Sequence, residues 1–487
     1  MGYHGLVSKG CQRCRQRKIK CDQRRPGCMR CEKSKKECPG FRNLADVVFR
    51  DESSRLIQKT LARDSEGQLE QSVPIAILTT TPVYPKNLDP HMWPTGISPG
   101  LSQPINEIGA HFFFANYTCD EPPLSKEYIT WLMQMYTEGN NNYALRASVE
   151  AAGMAGLSNI FDAPDIASKS KEHYGRALAA TNRALSNPVE ASTDMTLAAV
   201  TFLGLFEFVT IENWDHYGSW AAHIEGAAAL LQLRGEEQFS YERGGQLYMQ
   251  LRSQILFACM QQNVTPPPSL LRASREYQNS ALAERRNKTL PRPIGDLYFQ
   301  LIELRAAMKK GSLTDRIVIR ETAISLDEEL VVWKGTIPEM WKYTTIDAVG
   351  FPPGACFRGK RHLYNRLWTA RVWNNWRTVR ILLNRIIIDT TPFDTPIGME
   401  EGSPMALIRE NSTEICISSP DLIGSPRSAT LMWPLLVVSQ EPLNPPEERF
   451  WAVEQLRRIG ASMGIRQAGI LADVVAKSMI EFPFTPV

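Results

Sequence analysis

Six cysteines lie close together between residues 11 and 38, at a spacing suited to metal binding. They form two copies of the pattern C-x2-C-x6-C, offset by 17 residues: Cys11, Cys14 and Cys21, then Cys28, Cys31 and Cys38. Each C-x2-C pair places two sulfurs on one turn, where they can share a tetrahedral ion such as Zn²⁺. The repeat therefore predicts an internally duplicated metal-binding unit.

The number of sulfurs constrains the number of ions. One tetrahedral zinc would bind four cysteines and leave two without a role, which would break the duplication. Two zinc ions need eight ligand positions, and six sulfurs fill them only if two sulfurs bridge. The pseudo-symmetry predicts one bridging sulfur from each half. A unit of roughly 30 residues buries too little apolar surface to fold alone, so we expect the metal to supply on the order of 10–16 kcal/mol of folding free energy.

Charge is distributed unevenly along the 487 residues, whose net charge is only +3. Residues 1–42 contain 13 Lys and Arg against three Asp and Glu, a charge of +10, and the remainder carries −7. A basic segment of this kind indicates a polyanionic partner. Within it, residues 11–21 hold five basic side chains and no acid, whereas residues 28–38 hold four basic and two acidic ones. The first half is therefore expected to face the polyanion.

The cysteine segment resembles that of the fungal binuclear zinc-cluster transcription factors. The run from Cys11 to Asp22, C-x2-C-R-x-R-K-x-K-C-D, and the hinge from Arg25 to Cys28, R-P-x-C, carry the resemblance. It implies that Cys11 and Cys28 bridge two zinc ions, and that Pro26 adopts the cis form often found in the family. The implied ligand sets are Cys11, Cys14, Cys21 and Cys28 for one ion, and Cys11, Cys28, Cys31 and Cys38 for the other.

The same resemblance implies a way of reading double-stranded DNA. In the family, the C-terminal end of the first helix enters the major groove over a CGG-type triplet. Arg17 and Lys18 match the positions that contact the bases, and long cationic donors suit guanine O6 and N7. Arg15 and Lys20 would mainly contact phosphates, which position the protein without reading sequence.

Beyond the cysteines, the pattern indicates a linker and then a large helical region. Residues 71–105 contain seven prolines and are expected to form an extended linker. Helical periodicity follows almost to the end. We therefore predict a zinc-cluster domain at 8–42, a spacer and linker at 43–106, and an all-α regulatory domain at 107–487. The expected fold class is a small two-zinc, six-cysteine module plus a large all-α domain.

Several parts of the helical region allow more specific expectations. Helices are predicted at 125–138, 141–158, 189–210, 215–234, 241–262, 314–335 and 448–465, and loops at 263–295 and 391–427. The segments Trp433-Pro-Leu-Leu-Val-Val and Glu448-Arg-Phe-Trp resemble the C-terminal signature of a fungal-specific regulatory domain. Residues 361–388 combine six arginines with three tryptophans and no acid up to residue 388. That stretch is interpreted either as a helix paired with acids elsewhere or as a site for an anionic effector.

These features favour a nuclear regulator of RNA polymerase II transcription. The basic runs at 15–20 and 33–36 are typical of nuclear localisation signals. The resemblance also allows a homodimer, a small-molecule effector or co-regulator, and control of a metabolic or secondary-metabolite pathway. No run of about 18 apolar residues exists, so no membrane partner is expected. The alternative is an enzyme with a zinc-bearing head, but the G-x-S-x-G match at 96–100 places Pro99, which lacks the required N–H, after the serine.

Overall fold

The computed structural model describes the chain in segments: residues 11–17, 19–22, 24, 28–34, 36, 38–39, 103–118, 127–137, 143–211, 217–289, 294–348, 350–351, 354–396 and 398–481. Four sequence-based predictions lie outside these residues. They concern the base-reading role of Lys18, the cis form of Pro26, the G-x-S-x-G match at 96–100 and nearly all of the linker at 71–105.

The head, residues 11–39, contains two short helices, α1 (Gln12–Gln16) and α2 (Met29–Lys33). Each begins directly after the first cysteine of its half. The rest of the described chain is mostly helical, with helices α3–α19 at Ile105–Tyr117, Glu127–Thr137, Tyr143–Phe161, Pro164–Leu185, Pro188–Ala191, Asp194–Thr210, Tyr217–Arg234, Glu242–Gln262, Pro268–Gln278, Ala281–Thr289, Gly295–Lys310, Arg316–Gly335, Leu367–Thr390, Pro404–Leu422, Met432–Gln440, Pro446–Met463 and Arg466–Glu481.

Helix α5 (Tyr143–Phe161) lies at the centre of the N-terminal part of the helical body. It is rich in alanine and glycine, and twelve of its residues are buried. Helices α3, α6 and α8 pack against it. The small side chains permit close approach: a Cβ on Gly153 would lie 1.8 Å from the carbonyl oxygen of Gly109 in α3.

Helix α15 (Leu367–Thr390) has the corresponding position in the C-terminal part, where α14 and α16 flank it. Two strands, β1 (Tyr343–Asp347) and β2 (Lys360–Tyr364), form an antiparallel hairpin in which Tyr343 pairs with Tyr364 and Asp347 with Lys360. This hairpin contacts α16. Among the described residues no helix has both the length and the apolar character that a membrane span requires.

The expected fold class is correct, and the predicted helices correspond closely to α4, α5, α9, α10, α14 and α18. The two predicted loops are wrong. Residues 263–295 contain α11 and α12, and residues 391–427 contain α16. Both segments are rich in Pro, Gly and Ser, which favoured loops, but Pro268 and Pro404 stand in the first turn of a helix, where a missing N–H costs no hydrogen bond.

Candidate metal centre and nucleic-acid interface

The first cysteine of each half turns its sulfur toward the start of the helix that follows it. The Cys14 N–H donates to the Cys11 sulfur at 3.5 Å, and the Cys31 N–H donates to the Cys28 sulfur at 3.4 Å. These N–H···S bonds hold both sulfurs of each C-x2-C pair on the same side of a turn. Two bonds of nearly equal length, related by the 17-residue offset, show that the sequence duplication is also a structural one.

A second pair of backbone hydrogen bonds repeats at the same offset. The Ile19 N–H donates to the Cys14 carbonyl at 3.0 Å, and the Lys36 N–H donates to the Cys31 carbonyl at 3.2 Å. These bonds end the two short helices in the same way. Each half therefore returns its chain toward its third cysteine along a similar path.

The sulfurs of the two halves meet at distances expected of shared metal ligands. Cys11 Sγ lies 3.6 Å from Cys28 Sγ and 3.7 Å from Cys31 Sγ, while Cys14 Sγ lies 3.8 Å from Cys28 Sγ. Two sulfurs each about 2.3 Å from one tetrahedral zinc would lie about 3.8 Å apart. A disulfide would require about 2.05 Å. The donor set and its geometry thus fit zinc.

The six sulfurs fall into two groups of four. Within each group all the sulfur atoms lie within 4.8 Å of one another: Cys11, Cys14, Cys21 and Cys28 form one group, and Cys11, Cys28, Cys31 and Cys38 form the other. Cys11 and Cys28 belong to both groups. Two tetrahedral ions that share two sulfurs need this arrangement.

The crowding of these thiols makes a cation necessary if they are to ionise. Burial, together with neighbouring thiol groups, raises the pKa of Cys31 to about 12, and burial raises the pKa of Cys14 and Cys28 as well. A bound Zn²⁺ deprotonates its thiol ligands outright, because its charge is the largest in such a site.

Two polar contacts also join the halves. The Asp22 carboxylate accepts the Met29 N–H at 3.1 Å, and this bond holds the pKa of Asp22 below its usual value. Arg24 forms an exposed ion pair with Glu32. The sequence pattern did not predict either contact, although Asp22 directly follows the third cysteine of the motif.

The predicted DNA contacts lie on the first half. Arg17, just after α1, and Lys20 are both exposed, and Ile19 between them is 44% exposed. Arg15 lies within α1. The structure therefore places two of the predicted cations on the open surface beside the cluster, where they can reach a ligand.

The arginine-rich stretch at 361–388 forms most of strand β2 and of helix α15. Most of its arginines form ion pairs with acids of the body. Arg377 is 1% exposed and donates to Glu414 at 3.1 Å and to Asn374 at 2.9 Å. Burial alone would raise the pKa of Glu414, but the His362 ring, whose Nε2 lies 3.1 Å from a Glu414 oxygen, and the charge of Arg377 lower it to about 2. Glu414 lies in α16, and the sequence carried no signal for this pairing.

Three further arginines of the stretch pair with carboxylates on other elements. Arg380 donates twice to Asp327 at 2.7 Å, and the remaining ion pairs are Arg361 with Asp421 and Arg385 with Glu441. Four of the six arginines thus have carboxylate partners. The interpretation as a helix paired with acids elsewhere is supported, and nothing in these contacts favours an effector site.

Comparison with known proteins settles the family. Residues 9–46 match the model of the fungal Zn(2)-Cys(6) binuclear cluster domain. Residues 112–476 match the fungal specific transcription factor domain. The chain belongs to this family of fungal transcription factors. Its cofactor is two zinc ions, and the family is one of transcription factors rather than enzymes, so the enzyme alternative is not supported.

One curated relative supports this assignment over most of the chain. The transcription factor dbaG of Emericella nidulans is 24% identical over 417 residues, which cover 78% of this chain and 93% of that protein. No solved structure matches the chain. Members of the family bind DNA through the zinc cluster, which agrees with the exposed basic surface of the head.

Proposed function

We propose that this protein is a nuclear, sequence-specific regulator of RNA polymerase II transcription that reads CGG-type triplets through the first half of its zinc cluster. The observation that carries the proposal is the convergence of six sulfurs into two groups that share Cys11 and Cys28. In the proposed site, those two cysteines bridge the ions and the other four bind one ion each. The metal then fixes α1 and the residues after it as a rigid reading surface.

The proposed reading residues are Arg17 and Lys18, which follow α1 and would donate to guanine edges. Arg15 and Lys20 would contact phosphates on either side. Guanine is the base best matched by such donors, since it offers two acceptors in the major groove. A homodimer would let two heads read two triplets, and the spacing of the triplets would then follow from the dimer geometry.

The helical body is proposed to regulate this activity, in a metabolic or secondary-metabolite pathway and in response to an effector or co-regulator. What supports a regulatory role is the match of residues 112–476 to the fungal specific transcription factor domain, which lies outside the zinc cluster. The related dbaG is named a transcription factor.

Gel shifts of the zinc-loaded full chain test the proposal, with CGG-containing and scrambled duplexes. Lys18→Ala should abolish discrimination between the two duplexes, because a base contact carries about 1–3 kcal/mol of sequence preference. Lys20→Ala should weaken binding to both duplexes alike. It should also make the plot of log binding constant against log salt concentration less steep by about 0.9, as expected for one lost phosphate contact. Undiminished discrimination in Lys18→Ala would remove that residue from the reading role. Zinc-independent binding by the wild-type chain would contradict the proposal as a whole.

A further inference from the structure

Helix α14 (Arg316–Gly335) carries an aliphatic stripe on its outer side. Ile317, Ile324 and Val331 are 58%, 39% and 50% exposed. Val318 and Val332 are exposed as well, beyond the line formed by Glu321 and Glu328 on the same helix. Exposed aliphatic side chains aligned along one helix are the kind of surface through which helices associate.

The stripe is separate from the face by which α14 packs against the body. The opposite side of α14 buries Ile319, Ala323, Leu326, Leu330 and Trp333. Trp376 of α15 donates to the Leu330 carbonyl at 2.9 Å, and the Asp327–Arg380 ion pair ties the same two helices together. Helix α14 therefore packs against α15 through one apolar face and exposes a second apolar face.

The spacing of the stripe suits another helix. Ile317, Ile324 and Val331 are seven residues apart, so they form a line nearly parallel to the axis of α14. Helices that pack along their lengths use a seam with this seven-residue repeat, which here has one aliphatic position per heptad, with the charged residues Arg320 and Asp327 three positions on. The three side chains are β-branched and stiff, so little side-chain entropy is lost on contact.

The charges beside the stripe indicate which helix would pack there. At 100° per residue, Arg320 falls on one border of the stripe, whereas Glu321 and Glu328 fall on the other. None of these three side chains forms an ion pair with another described residue. Asp327, on the Arg320 border, is already neutralised by Arg380.

Two copies of α14 fit each other only when they run in the same direction. In a parallel pair related by a two-fold axis along the helices, opposite borders meet, so that Arg320 of one copy faces the acidic border of the other. In an antiparallel pair, like borders meet and Glu321 would approach Glu328 of the second copy. Like charges at that distance oppose association.

We propose that α14 is a dimerisation surface that pairs in parallel with α14 of a second copy of this chain. The proposal rests on the homodimer of the proposed function and names the surface that forms it. With one aliphatic layer per seven residues the interface is small, and a dissociation constant of about micromolar or weaker is expected.

Sedimentation equilibrium of the zinc-loaded full chain without DNA tests the pairing. The wild type should pass from monomer to dimer as its concentration rises. Ile324→Glu should weaken the dimer at least tenfold, because it puts a charge in the central layer. Thr322→Glu is the matched control: it adds the same charge two residues away, at an exposed position in line with neither the isoleucines nor the two valines, and should leave the equilibrium unchanged. A wild type that stays monomeric, or equal effects of the two variants, would overturn the proposal.

A charge exchange tests the direction of the helices. Arg320→Glu should weaken the dimer, and adding Glu321→Arg to the same chain should restore part of its stability, because positions 320 and 321 then carry exchanged signs while Glu328 stays acidic. Unchanged or tighter association in Arg320→Glu, or no restoration by Glu321→Arg, would contradict the proposal. Thermal unfolding of each variant shows that the body is intact. Since no DNA is present, failure of the pairing is distinguishable from failure of DNA reading.

Discussion

The two halves of the zinc cluster have the same backbone hydrogen bonds but different side chains on their surfaces. A third pair of hydrogen bonds is related by the 17-residue offset: the Arg17 N–H donates to the Arg13 carbonyl at 3.1 Å, and the Ser34 N–H donates to the Arg30 carbonyl at 3.3 Å. Ser34 thus occupies in the second half the position that Arg17 occupies in the first. The same offset relates Arg15 to Glu32. The duplication builds the metal site from both copies, whereas in the proposed function the side chains at equivalent positions make only the first copy the one that reads DNA.

The largest expected effect concerns Cys11 and Cys28, the two cysteines that belong to both sulfur groups. Cys11→Ser and Cys28→Ser should each lower the zinc content of the full chain from two ions toward none, because each residue would remove a ligand from both ions. Cys38→Ser removes a ligand from one ion and should be milder. Metal content by elemental mass spectrometry, with circular dichroism of the head, measures this.

Cys259→Ser is the control for this experiment, since Cys259 is buried in α10 of the body. It should leave both zinc ions in place. Retention of two ions in Cys11→Ser would show that Cys11 does not bridge.

The next largest effect concerns position 17, where the first half has arginine and the second half has serine at the equivalent position 34. Arg17→Ser, which copies the second half onto the first, should lower affinity for a CGG duplex by about 10–100-fold, equivalent to a lost base contact of about 1–3 kcal/mol. The reciprocal change Ser34→Arg should not restore that affinity when added to Arg17→Ser, because in the proposed binding mode the second half does not face the groove. Fluorescence anisotropy titrations of the full chain measure both. Restoration by Ser34→Arg would mean that the halves are interchangeable.

The smallest effect concerns the acid in the second half. Glu32→Gln should raise affinity for every duplex by about fivefold at most, because an exposed charge contributes no more than about 1 kcal/mol. Arg24→Gln removes the same ion pair but keeps the acid, so it should lower the affinity slightly. Competition binding at low salt distinguishes them. If both variants changed the affinity equally, the effect would come from loss of the ion pair. The expected cause, repulsion between the Glu32 carboxylate and the phosphates, would then be wrong.

The amount of the structure that could be predicted differs between the head and the body. Ligand spacing predicted two groups of four sulfurs, because all six cysteines lie within 28 residues and a tetrahedral ion demands a fixed geometry. Long periodic helices such as α10 and α14 were also predicted closely. Helix α16 was missed, because Pro404 follows the cap Ser403 and begins the helix.

The sequence alone determined the zinc head, its basic character and the helical nature of the body, since each rests on local spacing, composition or periodicity. Only the tertiary structure decided the partners of the buried charges. Arg377 meets Glu414, which is 37 residues away, because α15 and α16 pack side by side. The exposure of the Ile317–Ile324–Val331 line was likewise decided only by the tertiary structure. Helix α14 is apolar on two sides, and packing against α15 covers one of them.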